Sequence, residues 1–117
     1  MKFKFENLII WQRGMAFGET ITTMAHEFPK YELNNLSSQI RRAVDSIALN
    51  IAEGSICQSN LEYKKFIGYA IRSLAEVVTC LYKAKRRKYI SEHEFLTQYE
   101  FAFNLMNMMI AFKGKIR

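Results

Sequence analysis

The stretch LSSQIRRAVDSIALNIAEG, Leu36 to Gly54, decides the fold, because at helical spacing it lays down two stripes of opposite character. Ile40, Ala43 with Val44, Ile47 and Ile51 recur three and four residues apart, the core-facing pattern of an amphipathic helix. Beside them run Gln39, Arg42, Ser46, Asn50 and Glu53 at the same spacing. Such a row either satisfies itself or a partner by hydrogen bonds or stands as a wet face. We expect a structural role, with Arg42, Asn50 and Glu53 partly buried and hydrogen-bonded to Gln39 or to Glu76 of a neighbouring helix or subunit.

Three further helical segments lie around this one. The first spans about Asn7 to Glu27 and must stop near Phe28-Pro29, since proline disfavours helix at the preceding residue. Its Gly14 and Gly18 each cost about 1 kcal/mol against alanine, which a close helix contact would offset. The second helix is entered through Asn34, Asn35, Ser37 and Ser38, with Gly54 expected as a left-handed C-cap. The third begins at Ser59, which with Glu62 makes a capping box, and carries Phe66, Ala70, Leu74, Val77 and Leu81 on one stripe and Tyr63, Ile67, Ile71, Val78 and Tyr82 on another. So wide an apolar arc points to burial between two helices or two chains. The fourth runs from Ser91, boxed by Glu94, to about Lys113. Phe95, Tyr99, Ala102 with Phe103, Met106 and Ile110 are expected to face the core, and Phe101, Leu105, Met109 and Phe112 widen that face. Short loops between long helices require antiparallel neighbours, so residues 1 to 117 read as one all-α domain, an antiparallel up-and-down four-helix bundle.

Composition narrows the function. At 117 residues the chain can bury roughly two-thirds of its unfolded surface. Half of it is hydrophobic and there is one proline, which excludes a disordered tail. Apolar runs fall far short of the roughly 20 residues that cross a bilayer. The N-terminus meets Glu6 and Asn7 before any long apolar region, which argues against a secretory signal, so a cytoplasmic protein is expected. Cys57 and Cys80, with no CxxC and no paired histidines, suggest neither disulfide nor zinc site. No GxSxG, no phosphate-binding glycine loop and no ExxH pair of the di-iron bundles is present, so no enzyme, metal or cofactor is expected.

The charge is +6, from 17 basic and 11 acidic residues, which favours anionic partners. It is concentrated in Lys83, Lys85, Arg86, Arg87 and Lys88, and again in Lys113, Lys115 and Arg117. Each run could serve only to meet the negative end of a helix, or could contact RNA or DNA backbone. Antiparallel topology sets them at opposite ends, the first with the Pro29 loop and the second with Lys2, Lys4 and the Gly54 to Ser59 turn.

Phe28-Pro29, Glu32, Leu36, Gln39, Arg42-Ala43, Ser46-Ile47 and the run Asn50-Ile51-Ala52-Glu53-Gly54, followed by Ser59, Phe66, Ala70, Ser73-Leu74 and Glu76, resemble the bacterial four-helix-bundle family also called the 23S ribosomal RNA intervening-sequence protein family. The resemblance covers nearly the whole chain. It departs at Ala48, where the family often has proline, and at Arg86 to Ile90, where the family commonly has a small residue and glycine. The resemblance implies a homo-oligomer, a pentameric ring, as in family members and the similar accessory proteins of diversity-generating retroelements. It also implies a nucleic-acid association, without an established activity. A different reading of the same chain is a protein-interaction scaffold whose apolar faces dock a partner such as a polymerase or reverse transcriptase.

Overall fold

The structure, a computed structural model, describes all 117 residues and is built of helices alone. After a 3-10 turn at Lys4–Asn7 come α1 (Ile9–His26), α2 (Leu36–Ser55), α3 (Asn60–Arg86) and α4 (Glu92–Lys115), with a second 3-10 turn at Lys30–Glu32 in the first loop. At 1.5 Å per residue α3 measures about 40 Å, and it sets the long axis of a molecule of 43 × 25 × 23 Å. Successive helices are antiparallel neighbours. Gly14, early in α1, packs on Ala48, late in α2, while Tyr63 at the start of α3 meets Phe112 near the end of α4, ring centroids 5.7 Å apart.

The expected apolar stripe of α2 is the centre of the core. Ile40, Ala43, Val44, Ile47 and Ile51 are all buried, facing Ile67, Ala70, Leu74, Val77 and Leu81 of α3. Alanine at position 48 leaves α2 unbroken over its 20 residues. From α1 the core receives Ile10, Phe17, Ile21 and Ala25, and Phe17 stacks on Phe101 of α4 at 5.0 Å. Both caps form, unequally. The Ser59 hydroxyl accepts from the Glu62 amide at 3.1 Å with no return bond, whereas Ser91 and Glu94 exchange both bonds of a capping box, at 3.0 and 2.9 Å.

Two expectations need correction. Gly54 is not a left-handed cap, because no glycine has positive φ and α2 continues through it to Ser55. Its glycine is required by proximity, since a Cβ there would lie 2.9 Å from Phe66 Cβ and 3.0 Å from the Tyr63 ring. The face of α4 is also rotated from the expected one. Phe95, Ala102, Leu105 and Met109 fill the core, while Tyr99 and Met106 are half-buried and Phe103 and Ile110 are 57% and 53% exposed. A helix that is apolar around most of its circumference gives no periodicity by which to choose its inward side.

Gly54→Ala provides a test of the crowded α2/α3 crossing. The better helix propensity of alanine is worth at most about 1 kcal/mol, against about 1–3 kcal/mol for overpacking a site that cannot give way. We expect a net loss near 1 kcal/mol, read as a melting temperature lower by about 4 °C.

Candidate functional site

The dense basic run sits where α3 ends. Tyr89 N–H donates to the Ala84 carbonyl at 2.9 Å and Lys88 N–H to that of Lys85 at 3.0 Å, the paired bonds of a Schellman motif. Its left-handed position is ordinarily glycine, but here it is Lys88, with φ of 64°. The departure at Arg86 to Ile90 thus keeps the turn geometry that glycine serves and sets a cation in it, at a backbone cost of about 1–2 kcal/mol.

The five cations of this run have different surroundings. Lys85 Nζ lies 3.1 Å from Glu92 and 4.5 Å from the Phe95 ring centroid. Arg87 donates to Glu32 Oε2 at 3.0 Å. Lys83, Arg86 and Lys88 are exposed and have no acidic partner within the chain.

Glu32 explains why Arg87 is held. Although it lies in a short loop, this carboxylate is only 4% exposed, and burying a charge is costly unless it is paired and hydrogen-bonded. Tyr89 donates its hydroxyl at 2.6 Å, Asn35 its side-chain amide at 2.9 Å and Leu36 its backbone N–H at 3.3 Å, in addition to Arg87. The Tyr89 bond contributes most to lowering the Glu32 pKa and prevails over the opposing desolvation, with Leu36, Asn35 and Arg87 adding to it. The Tyr89 phenol is in turn held well above its ordinary range by the bond it donates to Glu32. Phe28 and Tyr89 rings lie 5.5 Å apart, so the Pro29 loop and the start of the α3/α4 loop form one unit at this end of the bundle. Sequence reasoning does not single out Glu32 or Tyr89 as site residues. The available signal is an acidic residue in a short loop, placed by antiparallel topology at the end that carries the arginines.

The second basic run lies at the opposite end, as expected from topology. Lys113 reaches back over Gly68 of α3, its Nζ 3.4 Å from where a Cβ would stand, and Lys115 and Arg117 are exposed. The polar stripe of α2 divides in two. Ser46 donates to the Ala43 carbonyl at 2.9 Å and pairs with Ser73 of α3, and Asn50 donates to the Ser46 carbonyl at 2.8 Å. Gln39 is half-buried. Arg42 and Glu53, expected to be partly buried with partners, are exposed and unpaired on this chain, as is Glu76. The reason is angular: Arg42 and Glu53 align with Asp45 and Leu49 on the outward line of α2, while Ser46 and Asn50 sit a step nearer α3.

Two open grooves lie between pairs of helices. One of about 460 Å³ lies between α1 and α2, where Trp11, Met15 and Leu49 stand around Gly14 and Gly18. Another of about 230 Å³ between α3 and α4 is lined wholly by Ala75, Val78, Tyr99, Ala102, Phe103 and Met106. No three His, Cys, Asp or Glu side chains come together as a metal site, and no helix is long and apolar enough to cross a membrane.

Residues 6–111 match the family model described as 23S rRNA-intervening sequence protein. The chain belongs to that family. Among solved structures it is similar to a crystal structure of a protein of unknown function from the S23 ribosomal protein family of Bacteroides thetaiotaomicron. The TM-score is 0.82 at 20% identity, over 92% of this chain and 96% of the other, a likeness of fold. A comparison with curated proteins finds no match.

Two substitutions test the loop junction. Glu32→Gln removes the charge that four donors serve and is expected to cost about 2 kcal/mol at neutral pH, since hydrogen bonds to charged groups are worth about 1.5–3 kcal/mol each and some survive on the amide. The native pKa of Glu32 is lowered, so its contribution is full above the reference value of 4.5 and is lost as pH falls through the native value. Acid titration of stability should therefore be shallower in the variant over that window. Lys88→Gly relieves the left-handed strain and is expected to gain about 0.5–1 kcal/mol in denaturant unfolding.

Proposed function

We propose that this family member is a non-enzymatic, self-associating helical bundle that holds nucleic-acid backbone against its basic ends. The observation that carries the reading is the division of the first basic run. Arg87 and Lys85 have partners within the chain, while Lys83, Arg86 and Lys88 are presented to solvent, Lys88 from a strained backbone position that glycine would fill more cheaply. Backbone strain of this kind is concentrated at functional positions, and that of Lys88 supports the reading. Lys113, Lys115 and Arg117 give the opposite end a weaker counterpart. Contacts of this kind are to phosphates, sequence-tolerant and sensitive to salt.

Self-association is supported by the outer side of α4. Leu96, Tyr99, Phe103, Met106 and Ile110 follow the three-and-four spacing of a helix-packing seam, and they continue across the uncharged α3/α4 groove to Val78. We read this face as the contact between copies, assembled as a ring of five, which repeats each basic end once per chain. The polar groups of the outward line of α2, Arg42 and Glu53, would then be available at a subunit boundary.

Light scattering should give a mass well above the 13.7 kDa of one chain, five times it for the ring, and Phe103→Asp with Ile110→Asp should return the protein to a folded monomer. A wild-type monomer at micromolar concentration removes the assembly. For nucleic acid, Lys83, Arg86 and Lys88 changed together to Gln should lower the salt slope on duplex DNA by about 0.9 for each phosphate no longer neutralised, more than Lys113, Lys115 and Arg117 changed likewise. Equal and negligible losses in folded, assembled protein would favour a scaffold that docks a protein partner.

A further inference from the structure

Tyr31 combines two properties that rarely occur together. Its side chain belongs to a residue 78% exposed in the Pro29 loop, so its ring faces solvent, yet it is tethered. The Tyr89 hydroxyl has one proton, given to Glu32 at 2.6 Å, so its oxygen accepts from the Tyr31 hydroxyl at 3.1 Å. The two rings meet edge to face, centroids 6.4 Å apart at 70°, an arrangement that does not cover Tyr31 as stacking would. The chain of bonds from Tyr31 through Tyr89 to the buried Glu32 thus holds an exposed aromatic ring in one orientation.

The two loops that hold the ring and its tether also carry cations. Lys30 precedes it in the loop, and Lys88 directly precedes Tyr89, the residue to which Tyr31 is tethered; Lys83 and Arg86 stand on the last turns of α3. Glu32, hydrogen-bonded to Tyr89, is compensated by Arg87, and of the exposed acids on the two loops' flanks Glu92 is paired with Lys85, which leaves Glu27 and Glu94. An exposed, oriented aromatic face among unpaired cations is the physical description of a single-strand platform. Every base offers a π-face to stack, and the phosphates on either side of it need positive partners. A duplex, whose bases are already stacked on one another, can use the cations but not the ring.

We propose that Tyr31 is a stacking platform for an unpaired base, making the Pro29 end of the bundle a binding site for single-stranded nucleic acid with Lys30 and Lys88 on the flanking phosphates. This rests on the backbone-binding reading above and adds the ring to it. Tyr89 and Glu32 are positioning residues, acting on the nucleic acid only through Tyr31.

The test is fluorescence anisotropy with labelled dT15 and U15, an abasic 15-mer and a 15-base-pair duplex, at one salt concentration. The unmodified protein should bind dT15 and U15 about tenfold more tightly than the abasic strand, and Tyr31→Ala should erase that difference while leaving duplex and abasic binding unchanged. Tyr31→Trp should retain the preference. Tyr31→Phe, which keeps the ring but cuts the tether, should retain part of it. The abasic comparison uses the native chain and is independent of how any variant folds. If the native protein binds duplex but does not distinguish dT15 from the abasic strand, the platform is overturned and backbone binding stands. If it binds none of the four, both readings fall. Equal loss on all four probes in Tyr31→Ala would assign Tyr31 to loop folding and also overturn the proposal.

Discussion

A carboxylate taken out of water has to be surrounded by donors, and one whole end of this molecule is arranged around meeting that requirement at Glu32. Four groups from two loops converge on it, from residues as far apart in sequence as Asn35 and Tyr89. The consequence is geometric before it is energetic. With Arg87 and Tyr89 drawn inward, the chain between them must turn sharply, and Lys88 is the residue at which it does so. The loop that carries Glu32 is fixed by the same bonds, and Tyr31 with it. A hydrophobic contact at this place would have joined the loops as well, but it would not have oriented hydroxyl and guanidinium groups, because apolar packing has no direction.

The core is legible in the sequence to the extent that each helix has one apolar side. In α2 the polar residues Gln39, Arg42 and Asn50 separate the apolar ones cleanly, and the whole stripe from Ile40 to Ile51 is buried as expected. In α4 no such contrast exists between Phe95 and Phe112, so the helix is evident in the sequence and its rotation is not. The glycine of the NIAEG run reads as a chain reversal, because a helix end offers a local reason for glycine, whereas the contact with Phe66 and Tyr63 exists only once α3 has folded back.

The candidate surface is legible by density and not by disposition. Counting charges from Lys83 to Lys88 gives five cations, but a cation's availability depends on acids elsewhere in the chain, Glu32 and Glu92 here. Ion pairs between residues 55 positions apart leave no periodic trace. The same holds for the polar row of α2, which reads as one stripe at coarse spacing but splits into an inward line that meets Ser73 and an outward line that meets water. Steps of four and of three positions rotate a side chain by about 40° and about 60° in opposite senses, enough to exchange those two fates.

The second apolar seam of α4 bears on how the fold breathes. Within one chain α4 leans mostly on α3, and large side chains such as Phe103 and Ile110 gain little burial, so α4 is the helix whose detachment sacrifices least of the core. Local opening then has a natural boundary at the Ser91 cap: amides of α4 can exchange with solvent while those of α2 and the inner side of α3 stay protected until global unfolding. A partner bound over the seam would make α4 protection rise with its own concentration, by mass action, and leave the protection of α2 nearly where it was.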